Sequence, residues 1–301
     1  MTPSPASDLP HSPGLWALAW RRLRADRVAM LALAIVAAFL LLLVASRAGL
    51  VAADWEDEVG VNYAPPTFAG AALPNTAAAE AAQDERAVPP NPYDPLAEDI
   101  AAIRAQQGGT SQGGPQERRA TLPFGADKWG HDIIKKTIKG AETSIVVGLA
   151  AAFLAVGLGT LFGAVSGYYG GVVDDLFNWF YSIFTSIPSI LMILTVAAVL
   201  QQKGVATIVL ILGLTGWTGP YRLMRAEYMK HKAREYVMAA DAIGASDWRK
   251  MFSHIFPNVS HVALVQVSIL VVGFIKAEVI LSFLGFGVPV GVVSWLSLIH
   301  I

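Results

Sequence analysis

TSIVVGLAAAFLAVGLGTLFGAVSGYYGGVV, residues Thr143–Val173, contains no Asp, Glu, Lys or Arg. A hydrocarbon core about 30 Å thick needs about 20 apolar residues as a helix, because each residue rises only about 1.5 Å. This stretch exceeds that length, and it has company. Val28–Ser46 is uncharged and rich in Leu, Ala and Val, and further uncharged runs cover Leu176–Gln202, Gly204–Tyr221, Met251–Ile275 and Val279–Ile301. They predict five spans, near 28–46, 144–166, 177–200, 205–222 and 261–283. The expected fold class is all-α, a polytopic transmembrane helical bundle.

Composition agrees. The chain is 54% hydrophobic and 15% charged, against about 45–50% and about 25% for soluble domains. A net charge of −1 gives no basic surface for nucleic acid. With no cysteine, disulfides, thiolate metal sites and cysteine nucleophiles are excluded. The six histidines show no metal-ligand spacing, and His254 and His261 are expected at the membrane surface rather than on a metal.

Arg21, Arg22, Arg24 and Arg27 precede the first span and predict a cytoplasmic N-terminus. Residues 47–142 then fall outside, 167–176 inside, 201–204 outside and 223–260 inside. The last segment carries Arg225, Lys230, Lys232, Arg234, Arg249 and Lys250, in keeping with that assignment. The first apolar run is longer than the roughly 7–15 residues of a secretory signal, so it reads as a retained anchor.

The chain divides into a cytoplasmic segment (1–27), an anchor (28–46), an external, partly low-complexity insert (47–140), a transmembrane domain (141–295) and a short tail (296–301). The insert holds Pro65-Pro66, Pro89-Pro90, Pro92 and Pro95, an Ala-rich stretch at 77–82 and Gly/Gln-rich sequence at 106–116. Such sequence buries too little apolar surface to offset its ordering entropy and reads as a tolerated loop. One short helical piece is expected over Leu96–Gln107, where Ile100 and Ile103 share a face.

The segment between the fourth and fifth spans reads Arg234-Glu-Tyr-Val-Met-Ala-Ala-Asp-Ala-Ile-Gly244-Ala-Ser246 and closes at Pro257-Asn258. Gly244 permits a turn with positive φ, and Ser246 or Asp247 can cap a new helix starting at Trp248. Pro257 is expected to end that second helix. The result is an elbow whose small residues Ala239, Ala240 and Ala242 let a partner's groove approach.

Here the sequence resembles the inner-membrane permeases of ABC importers, specifically the dipeptide/oligopeptide class. Their cytoplasmic loop runs Glu-Ala-Ala, three residues, Gly, nine residues, Ile-x-Leu-Pro. Ala239, Ala240, Gly244 and Pro257 match it, whereas Met238, His254 and Phe256 replace the Glu, Ile and Leu. The flanks Gly216-Trp217, Arg225-Ala-Glu227 and Glu235-Tyr-Val237 look like the peptide-permease version. So does Phe124-Gly-Ala-Asp127-Lys-Trp-Gly130-His-Asp132, with Ala126 and His131 where that box usually has Thr and Arg. Gly167–Gly171 and Leu281–Gly287 fit as well.

The resemblance implies coupling rather than catalysis: no catalytic residue, and a docking elbow comprising Glu235, Tyr236, Ala239, Ala240, Gly244, Ala245 and Pro257. It implies a second related permease, two ATP-binding subunits that hold ATP and Mg, and an external substrate-binding protein, all at a bacterial inner membrane. This chain has no Gly-x-x-x-x-Gly-Lys-Ser/Thr phosphate cradle of its own, and no cofactor is expected on it. The implied cargo is a peptide. The alternatives are a nickel-complex permease of the same class, or a secondary transporter coupled to ions through Glu278.

Glu278 and Pro188 are the candidates for the translocation path. Glu278 interrupts the fifth span and coincides with an acidic position typical of the family; Lys276, about 200° round the helix, should not pair with it. Pro188 should kink the third span. Gly157, Gly159 and Gly163 predict close helix packing. Relatives of this kind continue beyond Ser-Trp-Gly into a sixth span. Leu296–Ile301 instead matches one frame of a transposase-end sequencing adapter, so the tail is expected to be non-native and the last helix missing.

Overall fold

The computed structural model describes residues 14–70, 118–289 and 292–299. The helix expected over Leu96–Gln107, with the Ala-rich and Gly/Gln-rich stretches of the insert, lies outside the described residues. The chain separates between Ala53 and Asp54 into two compact units. The first holds α1 (Leu15–Ala25) and α2 (Arg27–Arg47). Between them Asp26 is extended, and its carboxylate accepts the Val28 N–H at 2.9 Å and the Ala29 N–H at 3.2 Å, capping the anchor helix. At 21 residues and a mean hydropathy of 3.1, α2 is long and apolar enough to cross a bilayer.

The second unit contains α3 (Ile133–Tyr169), α4 (Gly171–Ser186), α5 (Ser189–Leu200), α6 (Val205–Thr215) and α7 (Thr218–Lys232). These are followed by α8 (Glu235–Ala242), a short α9 (Asp247–Arg249), a π-helical turn (Lys250–Ile255), α10 (Phe256–Phe283) and α11 (Leu296–Ile299). Among the described residues no strand forms, only isolated bridges. The described residues are all-α, as expected of a membrane bundle, and the second unit is built around α3.

What lets α3 take the centre is a glycine face. A Cβ at Gly159 would lie 2.6 Å from Pro220 Cβ, at Gly163 2.7 Å from the Tyr221 carbonyl oxygen, and at Gly167 2.5 Å from that of Arg225. The stripe therefore seats the α7 backbone directly on α3. It differs from the expected triplet: Gly157 has nothing within 4 Å of a Cβ and takes no part, while Gly167 completes the i, i+4 series. Elsewhere Gly148 receives Ile275 of α10 in the same way. Between these contacts, Val147, Ala151, Ala152 and Ala155 bury against Ile208, Leu212, Phe274 and Leu281. A second cluster of Tyr168, Met224, Tyr228, Val237, Met251 and Ile255 closes the opposite end.

Three expectations change. Among the described residues, three helices rather than five are individually long and apolar enough to span: Arg27–Arg47, Ile133–Tyr169 and the continuous rod Asp247–Phe283; a fourth exists if the pair Gly171–Ser186 and Ser189–Leu200 counts as one. That pair is bent by 89°, so Pro188 breaks the third span instead of kinking it. Ile187 (ψ 131) and Pro188 (ψ 131) are both extended, as expected of a residue forced out of the α region by a following proline and of a proline starting a new helix. α6 has only 11 residues and joins α7 through Gly216-Trp217, so the run read as a fourth span is two helices.

Pro257 does not end a helix either. It lies in the first turn of α10, immediately after the π turn. A proline has no N–H and crowds the carbonyl of the preceding turn. The wider i→i+5 turn takes up that mismatch, and the rod continues through it.

Candidate functional site: an elbow, a broken helix and a buried carboxylate

The elbow is set by backbone geometry. α8 ends in a Schellman motif: the Gly244 N–H donates to the Asp241 carbonyl at 2.9 Å and the Ala245 N–H to that of Ala240 at 3.0 Å, with Gly244 at φ +78°. Two residues on, the Ser246 hydroxyl accepts the Arg249 N–H and starts α9. Both features agree with the sequence expectation, except that α9 merges into the long rod instead of forming a second short helix.

Val237 and Ala240 bury the inner face of α8, while Glu235, Tyr236, Ala239 and Gly244 face out and Ala245 is half-buried. The Tyr236 hydroxyl lies 2.8 Å from His231 Nδ1 on α7. Pro257 is exposed on α10, beyond the turn. Three large apolar side chains also project outward: Met238 (55% exposed), Ile243 (84%) and Trp248 (63%).

One cluster was not foreseen. Lys250 is buried and bridges the elbow, with Nζ 2.5 Å from Asp241 Oδ1 on α8 and 3.0 Å from Asp247 Oδ1 on α9. Asp247 also accepts the Tyr168 hydroxyl at 2.8 Å. A lysine clip thus ties both arms of the elbow to the end of the central helix. The 241/247/250 charge spacing was visible, but it does not reveal that the chain folds back at Gly244 to bring these groups together.

At the 89° break lies a cavity of about 570 Å³, lined by α4, α5, the α6–α7 junction and α10. Pro188 is on its wall. Glu278 is not. Its side chain is fully buried on the α3-facing side of α10, where Oε2 accepts the Ser144 hydroxyl at 2.9 Å and Oε1 the Ser282 hydroxyl at 2.8 Å. Ser144 in turn accepts the Trp295 N–H at 3.3 Å. Lys276 is exposed, pointing away as the helical wheel required. The two path candidates therefore occupy different environments, one in a cavity and one in a helix seam.

A further ion pair joins α7 to α4. Arg225 on α7 grips Asp174 on α4 through Nε (2.6 Å) and Nη2 (2.5 Å), and the Ser166 hydroxyl of α3 joins the same carboxylate.

At the start of α3 the Phe124–Asp132 box makes a cap. Gly125 (φ +90°) and Gly130 (φ +88°) turn the chain so that Asp127, fully buried, collects the N–H groups of Trp129 and His131, His131 Nδ1 and the Lys136 ammonium at 2.6 Å. Burial alone would raise the Asp127 pKa; these donors outweigh it and hold it at about 2. Asp132 caps α3 by accepting the Ile134 N–H.

Residues 159–300, which carry the break, the elbow and Glu278, match the family described as binding-protein-dependent transport system inner membrane component. Over this stretch the chain is similar to that family. Residues 14–66, including α1 and α2, match the N-terminal TM domain of oligopeptide transport permease C. Similar proteins include the oligopeptide transport system permease protein OppC of Bacillus subtilis, 38% identical over 172 residues (57% of this chain, 56% of that protein). The dipeptide transport system permease protein DppC of Lactococcus lactis is 34% identical over 178 residues (59% and 51%). The peptidoglycan transport system permease protein YejE of Agrobacterium fabrum is 34% identical over 168 residues (56% and 44%). The chain spans about half the length of the curated relatives it matches. In this chain the cap box and the part of α3 before residue 159 lie between the two matched stretches.

Proposed function

We propose that this chain is a transmembrane permease subunit of an ATP-binding-cassette importer that moves peptides across the bacterial inner membrane. In this reading the N-terminus is cytoplasmic and the elbow seats in a partner ATPase, which holds ATP and Mg; this chain binds neither and catalyses nothing. A second permease pairs with it, two ATPases drive it, and an external binding protein delivers cargo. Peptide cargo is supported by the similarity to permeases of oligopeptide and dipeptide transport systems.

The observation that carries the reading is the elbow. Met238, Ile243 and Trp248 stand exposed on a two-helix corner outside the bundle, a surface whose burial in a cleft releases apolar area from water. The corner is also stiff enough to transmit force. The Schellman turn and the Lys250 clip fix the angle between its arms, and the clip reaches α3, on which α7 and α10 pack. Closure of the ATPases would then move the bundle as a lever.

The test is Gly244→Pro in the assembled importer. Proline cannot adopt φ +78° and lacks the N–H that donates to Asp241. Peptide uptake is expected to fall at least tenfold while the permease still inserts at parental levels. Uptake at the parental rate would refute the assignment of the elbow.

A further inference from the structure

The cavity at the helix break has an unusual lining for a cavity in a bundle held together by glycine contacts. Three glycines line it: Gly216, Gly219 and Gly273. Gly216 has an ordinary packing reason, since a Cβ there would lie 2.4 Å from Phe274 Cζ. The other two do not. A Cβ at Gly273 would meet nothing within 4 Å, and one at Gly219 only Gln266 Oε1 at 4.0 Å. Glycine inside a helix costs about 0.5–1 kcal/mol relative to alanine. Here that cost brings no closer helix approach; it leaves open space, on two helices that face the Pro188 break.

The chemistry of the wall is equally specific. None of the residues that line it is charged. Thr185 and Thr215 donate their hydroxyls to the carbonyls of Tyr181 and Ile211, one turn back, so these two hydroxyl protons are already taken up within their own helices. A volume of about 570 Å³ falls in the range of about 300–1,000 Å³ typical of small-molecule sites.

We infer that this cavity receives the uncharged side chains of the transported peptide, and that Gly219 and Gly273 set the largest side chain that can pass. The inference rests on the peptide-permease reading and deepens it. The open walls at these two positions admit bulky apolar side chains, and the absence of any charged group means charge plays no part in selection there.

The experiment uses the importer assembled with its partner subunits in proteoliposomes. Gly219→Leu and Gly273→Leu place side chains into open space, with Gly219→Ala and Gly273→Ala as controls. Uptake of tri-alanine is expected to stay within about twofold of the parent, while uptake of tri-phenylalanine falls tenfold or more. Equal loss of both peptides, or no loss of either, overturns the inference while leaving the permease reading intact. A parent complex that hydrolyses ATP but imports neither peptide overturns the peptide reading, and this inference with it.

A second readout does not depend on transport. The chain has no cysteine, so Gly273→Cys carries its only thiol. That thiol is expected to react with a water-soluble methanethiosulfonate and to be protected by saturating tri-phenylalanine. An unreactive thiol would mean that lipid or the second permease fills the space, and would overturn the inference.

Discussion

Alanine at Gly163 and alanine at Gly157 should have opposite effects, although the two glycines are less than two turns apart on α3. A Cβ at Gly163 would lie 2.7 Å from the Tyr221 carbonyl oxygen, 2.9 Å from the Arg225 nitrogen and 2.9 Å from Met224 Cβ. All three are rigidly attached to the α7 backbone, so no side chain can swing aside. Ordinary contact begins near 3.4 Å, so α7 must retreat by 3.4 − 2.7 = 0.7 Å. A gap of about 0.5–1 Å forfeits a quarter to a half of each dispersion well along the seam, and overpacking of this kind costs about 1–3 kcal/mol. Alanine's better helix propensity returns at most about 1 kcal/mol. Gly163→Ala should therefore destabilise by about 1–2 kcal/mol. Gly157→Ala meets nothing within 4 Å and should stabilise by up to about 1 kcal/mol. Reversible unfolding in mixed micelles, followed by helical circular dichroism, measures both. The reasoning fails if Gly163→Ala is as stable as Gly157→Ala.

The remaining predictions concern polar sites. Asp127 titrates at about 2 when folded, against 3.8 for the free side chain. Its contribution is thus complete above about pH 4 and disappears as pH falls toward 2, at most about 2 kcal/mol. Hydrogen exchange at the Trp129 and His131 amides, corrected for intrinsic rates, should accelerate across that window, and Asp127→Asn should show no such step. Arg225→Met removes two charged hydrogen bonds to Asp174 and should cost about 2 kcal/mol. Arg225→Lys should recover only part of that, because it cannot grip both carboxylate oxygens. A double-mutant cycle with Asp174→Asn gives the coupling, and a coupling near zero would remove this pair from the account of α4–α7 packing.

Much of the elbow was legible because it is local. A glycine needed at positive φ, a serine two residues later and alanines on a short helix all act through neighbours a few residues away, and the Gly244 turn and Ser246 cap formed where that chemistry placed them. The Phe124–Asp132 box stood out only by resemblance; its glycine turns and the donors around Asp127 came from the structure. Pro257 misled, because a local rule met a π turn whose extra width removed the steric conflict. The partners of Glu278 were hidden, since Ser144 is 134 residues distant and only helix packing brings it near. The Lys250 clip and the Arg225–Asp174 grip were hidden likewise.

The sequence alone determined residence in the bilayer, the all-α class, the family resemblance and the corner at Gly244. These follow from composition and short-range backbone preference, which need no fold to act. Tertiary structure decided which glycines of α3 are contact points and which face open space. It also made Pro188 a full break beside a cavity and set Glu278 in a seam with two serines. Each of those depends on where a second helix lies, and a helix's neighbours are chosen by packing across the whole bundle.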